Sequence, residues 1–228
     1  MCPVPESFES VFFVTMRLRD ALPDSFGQNI ALHYYSKQVE FAHHPHRTAH
    51  LQQARKRLFA RFDDTLDLAK YGHPYLREPM LAQILADQIH RHDRAAYELL
   101  AYSIMPSHIH LLFDIHCPLR EDPPLDDLES MLCEPLRDIV GKIQNATEKP
   151  LKKAVKQLRG HIDPTTFQLH TPKGSVKLEG KFWHEQTFDF RVHDAVEFEK
   201  IVRYILQNPV KAELTEWWED WPFSFWKK

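Results

Sequence analysis

The apolar positions of this chain recur with two periods, one of two residues and one of between three and four. A period of two, with many β-branched and aromatic residues, is typical of strands. It predicts strands over residues 8–19, 97–104, 108–115 and 188–192. The longer period is that of amphipathic helices. It predicts helices over residues 51–70, 77–92 and 195–207, with one or two more helices within 128–159.

Proline, glycine and capping residues indicate where these helices begin and end. The Tyr71-Gly72-His73-Pro74 run is expected to end the first helix. Asp194 is a suitable N-cap for the last helix, and Pro209 is expected to end it. Pro135 and Pro150 predict breaks within residues 128–159.

Residues 20–50 show no clean period and contain four histidines, His43, His44, His46 and His50. Histidines clustered in this way can bind a metal ion. They have no regular spacing and no acidic partner, so an exposed loop or a frayed helix is the favoured interpretation.

The order strand, helix, strand, strand, helix, strand, helix predicts an α+β fold. Such a fold has an antiparallel sheet with helices packed on it. The chain has 228 residues, which suits one domain with insertions or two small domains.

Composition excludes several classes of protein. Hydrophobic residues make up 43% and charged residues 27%, as in ordinary globular proteins. No apolar stretch is long enough for a membrane span, and the first residues do not have the pattern of a secretory signal. Three cysteines without a Cys-x-x-Cys pair predict neither a disulfide framework nor a cysteine zinc site, and fit a reducing cytosol. Neither a Walker loop nor a dinucleotide-binding fingerprint occurs.

The net charge of -3 hides two segments of opposite sign. Residues 114–138 contain eight acids and two arginines, whereas residues 149–181 contain eight Lys or Arg residues and two acids. The basic segment, with Lys152, Lys153 and Lys156, can attract a polyanion locally. Two solvated helix faces of opposite sign would explain the same pattern, so charge alone leaves both interpretations open.

His108 and His110 form the sharpest local feature of the sequence. In a strand, residues two apart project from the same face, with Cα atoms roughly 6–7 Å apart, so both imidazoles can share one metal. Two histidines leave coordination positions open, as a catalytic metal requires. The alternative is a pair of half-buried histidines that are hydrogen-bonded to the backbone.

The last predicted helix carries a second candidate set. Tyr204 and Asn208 lie one turn apart at the edge of its apolar stripe, and Lys211 follows if the helical turn continues. Asn208 supplies an amide oxygen, and a lysine can hold a phosphate. The alternative is a surface tyrosine beside a polar helix end. Together with the histidines, these residues suggest a metal-assisted attack of Tyr204 on a phosphodiester.

Four segments of the sequence resemble one known family, the single-tyrosine HUH transposases, and within it the REP-associated tyrosine transposases. The segments are Ala101–Phe113 (AYSIMPSHIHLLF), Phe182–Asp189 (FWHEQTFD), Tyr204–Ala212 (YILQNPVKA) and Asp220–Ser224 (DWPFS). Position 107 is Ser where this family commonly has Asn or Asp. Residues 128–179 also look longer, and more acidic at their start, than the family pattern.

The resemblance implies a fold, a site and a reaction. The fold is a ferredoxin-like antiparallel sheet, here one domain over residues 1–228 with insertions near 20–75 and 116–180. His108 and His110 then bind Mg²⁺ or Mn²⁺, with Asn208 as a third ligand. Tyr204 is the nucleophile that forms a 5′-phosphotyrosine link to single-stranded DNA.

The resemblance also implies the partners and the place of action. The substrates are single-stranded or hairpin DNA of palindromic repeats. The charge of the basic segment, rather than the resemblance, predicts that Lys152, Lys153 and Lys156 contact this DNA, and Lys211 is expected to hold a phosphate from the last helix. The protein is then a cytoplasmic, nucleoid-associated bacterial monomer or homodimer. Two other functions are compatible with the same residues. One is a hairpin-binding protein that no longer cuts DNA, and the other is a metal-dependent phosphoesterase that uses water.

Overall fold

A five-stranded antiparallel sheet forms the centre of the computed structural model, which describes residue 5 and residues 7–68, 71–115, 134–158 and 180–227. Its strands are β1 (Val11–Arg17), β2 (Glu98–Ile104), β3 (His108–Asp114), β4 (Phe188–Arg191) and β5 (Ser224–Trp226). In space they follow the order β4-β1-β3-β2-β5. Strands β1 and β3 are rich in β-branched and aromatic residues and are buried along their whole length, as expected for the middle of a sheet covered on both faces.

Five helices accompany the sheet. They are α1 (Asp24–Glu40), α2 (Arg47–Asp67), α3 (Pro79–His92), α4 (Glu134–Gln157) and α5 (Ala195–Lys211). Short 3-10 turns occupy Tyr75–Arg77 and Trp218–Asp220. No helix within the described residues is long and apolar enough to cross a membrane.

The two faces of the sheet hold different helices. Helices α3 and α4 pack together on the face of Phe113, where Tyr97 stacks on Phe113 and donates a hydrogen bond to the Ile89 carbonyl of α3. Helices α2 and α5 lie on the opposite face, where Phe59 and Tyr204 both contact Phe13. That second face carries the two histidines of β3.

The topology confirms the predicted α+β class and its ferredoxin-like sheet. The first four strands have the order β4-β1-β3-β2, with α3 before β2 and α4 before β4 on one face. Helices α1 and α2 fill the insertion predicted near residues 20–75. Much of the second predicted insertion, residues 116–133 and 159–179, lies outside the described residues, and the single domain stays a prediction.

One helix was missed, and two local predictions were wrong. Residues 24–40 form α1, which the sequence did not predict because this helix has no apolar stripe and exposes Leu32, Tyr35 and Val39. His43, His44 and His46 lie in an exposed turn, as expected. Helices α4 and α5 continue through Pro150 and Pro209. A proline inside a helix removes one backbone hydrogen bond, and apolar packing on both sides of it offsets this loss. In α4 that packing comes from the buried Leu136, Ile143 and Leu151.

Candidate metal centre

Strand β3 places His108 and His110 side by side on the face that α2 and α5 cover. Their Nε2 atoms are 3.2 Å apart, and the two side chains are 1% and 0% exposed. The pairing of β1 with β3 sets Thr15 beside His110. The alternation predicted from the sequence is confirmed, and it brings the two imidazoles together.

The other ring nitrogen of each histidine has a hydroxyl neighbour. His110 Nδ1 lies 2.9 Å from Thr15 Oγ1, and His108 Nδ1 lies 3.2 Å from Ser107 Oγ. A hydroxyl that accepts from Nδ1–H holds the ring in place and leaves the Nε2 lone pair for a metal ion. Ser107, which departs from the family pattern, therefore still provides an oxygen in a useful position.

Helix α2 adds two carboxylates that the sequence analysis missed. Asp63 Oδ1 lies 3.3 Å from His110 Nε2, and Asp67 Oδ1 lies 3.6 Å from His108 Nε2. Potential ligand atoms of Asp63, His108 and His110 all lie within 4.8 Å of one another. The sequence contained one sign that Asp63 could belong to a site. Asp63 follows Phe62 at the edge of the apolar stripe of α2, where an acid that only faces solvent is not expected.

Burial keeps these groups neutral when no cation is bound. It raises the pKa of Asp63 from 3.8 to about 8, and the neighbouring Asp67 raises it further, while Lys211 and Asn208 act in the opposite direction. Burial lowers the pKa of His108 to about 3 and that of His110 well below 6.5. Neutral imidazoles can bind a metal, and the charge of a dication would stabilise the Asp63 carboxylate beside them.

Helix α5 brings the predicted tyrosine and asparagine to the same place. It begins at its N-cap Asp194, whose side chain accepts a hydrogen bond from the Glu197 backbone N–H at 2.8 Å. The Tyr204 ring contacts His110 edge to face, with centroids 5.5 Å apart. Asn208 is 1% exposed and lies close enough to Asp63 to stabilise its ionised form. The two candidate sets therefore converge.

The Tyr204 hydroxyl is buried and has no hydrogen-bond partner within the described part of the chain. Phe59 of α2 lies against the tyrosine ring, with centroids 6.0 Å apart. Phe13 contacts the same ring from the sheet. Helix α2 therefore covers the candidate nucleophile as well as the histidines.

Ion pairs hold α2 against α5 at two points. Lys56, in the middle of α2, pairs with Glu197 in the first turn of α5. Lys211 Nζ lies 2.8 Å from Asp64 Oδ1 and 3.0 Å from Asp67 Oδ2 at their ends. The two helices therefore run parallel, and Lys211 lies at the rim of the site, as its proposed contact with DNA requires.

The other three predicted DNA-binding lysines lie elsewhere. Lys152, Lys153 and Lys156 belong to α4, which packs with α3 behind the sheet. Lys152 pairs with Glu148 and donates to the Gly180 carbonyl, while Lys153 and Lys156 are exposed. The structure does not bring this basic group to the histidines.

The residues present fit a divalent metal. Both carboxyl oxygens of Asp63 and both amide atoms of Asn208 are buried without a well-oriented hydrogen-bond partner in the described ranges. Neighbouring ligand atoms on an ion at about 2.0–2.2 Å are roughly 3 Å apart, close to the separations seen here. The histidines of residues 43–50 form no comparable group, since Asp63, His108 and His110 are the one such cluster of three among the described residues.

Comparisons with known proteins give one distant similarity. No family model matches the chain, and no curated protein matches it. A solved structure of a REP-associated tyrosine transposase bound to a REP hairpin is similar, with 14% identity and a TM-score of 0.41 over 98% of this chain and 82% of that chain. That protein comes from the family that the sequence motifs resemble.

Proposed function

We propose that this protein is a metal-dependent endonuclease and strand transferase that acts on single-stranded DNA at palindromic hairpins through a 5′-phosphotyrosine intermediate. The observation that carries the proposal is the convergence of three elements on one point. Strand β3 supplies His108 and His110, α2 supplies Asp63, and α5 supplies Tyr204 and Asn208. A metal held by neutral histidines beside a tyrosine is the arrangement that phosphodiester cleavage by a tyrosine needs.

Each residue has a separate task in this reaction. His108, His110 and Asp63 would hold a divalent ion, with Asn208 as a further ligand, and such an ion would supply Lewis-acid polarisation of the phosphodiester. The Tyr204 Oη attacks phosphorus and the bond between phosphorus and the 3′ oxygen breaks. The proton of the tyrosine ends on that oxygen, so the products are a 3′ hydroxyl and a 5′-phosphotyrosine. Lys211, at the rim, holds the incoming phosphate backbone by charge.

The position of α2 sets a condition on this reaction. Phe59 covers the Tyr204 ring, and the hydroxyl is buried. A phosphodiester has to reach that oxygen, so the Phe59 side chain must turn away from the Tyr204 ring before attack, while the backbone of α2 keeps Asp63 beside His110.

The decisive test is a search for a covalent protein–DNA adduct. The protein is incubated with Mn²⁺ and labelled single-stranded DNA from the sequences that flank its gene. We expect an adduct with the wild type and none with Tyr204→Phe, which keeps the ring but has no oxygen to attack phosphorus. Tyr102→Phe is the matched control, because Tyr102 is a buried tyrosine that contacts His90 of α3 behind the sheet.

The same variants separate the other two functions. A phosphoesterase that uses water keeps most of its turnover in Tyr204→Phe and loses it in His108→Ala or His110→Ala. A hairpin-binding protein that does not cut shows no adduct in the wild type, and its hairpin affinity does not change in any of these variants. An adduct that persists in Tyr204→Phe shows that the wrong nucleophile has been chosen.

A further inference from the structure

A buried ion pair joins α2 to the edge strand β4, outside the group of residues that the reaction uses. Arg55 Nη2 of α2 lies 3.2 Å from Asp189 Oδ2 of β4. We propose that Asp189 is a positioning residue: it holds Arg55 and so keeps the α2 backbone on the sheet while the Phe59 ring turns away. The inference rests on the proposed function, because the site that α2 completes is the proposed one.

The spacing along α2 places this contact where it can do so. Arg55, Phe59 and Asp63 are four residues apart, so they lie on nearly the same side of the helix, over about 12 Å of its length. Asp63 Oδ1 lies 3.3 Å from His110 Nε2 of β3. Phe59 therefore lies between two polar contacts of α2 with the sheet, and the contact of Arg55 is the one outside the site.

The pair is enclosed, which makes it a strong constraint on α2. The side chains of Arg55 and Asp189 are 22% and 4% exposed, and the Arg55 guanidinium carbon lies 5.8 Å from the centre of the Phe188 ring. Burial raises the pKa of Asp189 to about 6, although Arg55 lowers it, so the carboxylate is mostly ionised at neutral pH. Separating a buried pair leaves uncompensated charges, which is costly, whereas exposed pairs contribute little.

The sheet fixes the acidic partner, and the pair can make one more bond. Asp189 is paired with Val14 of β1, the strand that also pairs with β3. Asp189 Oδ1 and Arg55 Nε are both buried and have no hydrogen-bond partner in the described ranges. These are the two atoms that a side-on bidentate pair would join in addition to the present bond. The pair can therefore hold the guanidinium through a small shift of α2.

Loss of the pair should loosen α2 and leave the other side of the molecule unchanged. Backbone amides of α2 should then exchange faster with solvent, because this helix opens more often. Helix α3 packs with α4 on the opposite face of the sheet, so its amides are an internal reference. Affinity for a divalent ion should also fall, because Asp63 is no longer kept beside His110.

The experiment uses the full chain freed of metal with a chelator, without DNA. Hydrogen exchange of α2 and α3, and Mn²⁺ affinity by equilibrium dialysis, are measured for the wild type, Asp189→Asn and Arg55→Met. Each variant keeps the approximate shape of its side chain and removes the charge. We expect faster exchange in α2 alone. Mn²⁺ affinity should fall roughly tenfold, the lower end of the loss seen when a residue that supports a metal ligand is replaced.

Three further variants test the assignment. Arg57→Met is the matched control, because Arg57 is exposed on the same helix, and it should match the wild type in both measurements. Arg55→Lys keeps the positive charge and should regain most of the affinity. The double variant Arg55→Met/Asp189→Asn leaves no unpaired buried charge, so it can be measured even where a single variant unfolds. It should lose no more affinity than the weaker-binding single variant, because the two residues act as one unit.

Three outcomes overturn the inference. The first is unchanged α2 exchange and Mn²⁺ affinity in Asp189→Asn. The second is equally faster exchange in α2 and α3, which indicates a loss of global stability. The third is additive losses in the double variant, which show that the two residues act separately. Failure of the proposed function looks different, because a wild type that forms no DNA adduct can still show α2 loosened by Asp189→Asn, and this result supports the inference.

Discussion

Asp63→Asn should stabilise the protein when metal is absent, although it removes a proposed metal ligand. In the folded chain, burial and Asp67 raise the pKa of Asp63 from 3.8 to about 8. A carboxyl whose pKa is raised on folding contributes stability below its unfolded pKa and loses it as the pH rises through its folded pKa. The wild type should therefore lose stability between about pH 4 and pH 8, whereas an asparagine carries no such penalty.

The size of the effect follows from the same pKa difference. At 1.36 kcal/mol for each pKa unit, the difference corresponds to roughly 6 kcal/mol, which is an upper bound because the charges of Asp63 and Asp67 are coupled. The unfolding free energy of Asp63→Asn should be close to that of the wild type near pH 4, and its excess over the wild type should grow with pH until about pH 8. We expect at least about 1 kcal/mol of stabilisation at neutral pH.

The assay is urea unfolding of the wild type and the variant in a chelator, from pH 4.5 to 9. Glu216→Gln serves as the control, because Glu216 is exposed, lies outside α2 and α5 and should give a curve parallel to that of the wild type. A variant whose unfolding free energy differs from that of the wild type by the same amount at every pH would refute the reasoning. Saturating Mn²⁺ should reverse the order, because the ion then stabilises the ionised Asp63 of the wild type.

Three further predictions concern charges and a helix cap. Lys211→Gln should strengthen Mn²⁺ binding, since Asp67 loses its ammonium neighbour, and should weaken hairpin binding, both measurable by titration. Charge reversal of Lys152, Lys153 and Lys156 should lower hairpin affinity and its salt dependence in a binding assay, while adduct formation at saturating DNA is unchanged. If affinity stays the same, these lysines form only a solvated face. Asp194→Ala should cost about 0.5–2 kcal/mol in urea unfolding, because the first turn of α5 loses its cap.

The parts of the fold that local pattern determines could be predicted. His108 and His110 are two residues apart in β3, so the period of two correctly gave one face for both histidines. The N-cap of α5 and its apolar stripe were also read correctly. Strand β5 was not predicted, because three residues are too few to show a period and its pairing with β2 is a long-range contact.

Helix α1 shows the opposite case. Its polar and apolar residues are spread around the helix, so no face is marked for burial, and Leu32 and Tyr35 remain exposed. A helix of this kind is held by its backbone hydrogen bonds and by contact with α2 rather than by an apolar stripe. Pattern analysis had no signal to detect there.

The missing ligand has a different physical cause. Residues carried over from a family motif include only the residues of that motif, and Asp63 belongs to none of the four segments that carried the resemblance. Its sequence position shows an acid beside an apolar stripe, but only the packing of α2 over β3 places it 3.3 Å from His110. Burial makes the ionised form of Asp63 unfavourable, because a buried charge is costly unless a cation compensates it. Helix α2 therefore takes part in the proposed site. It supplies Asp63, whose carboxylate would bind a dication, and Phe59, whose ring covers Tyr204.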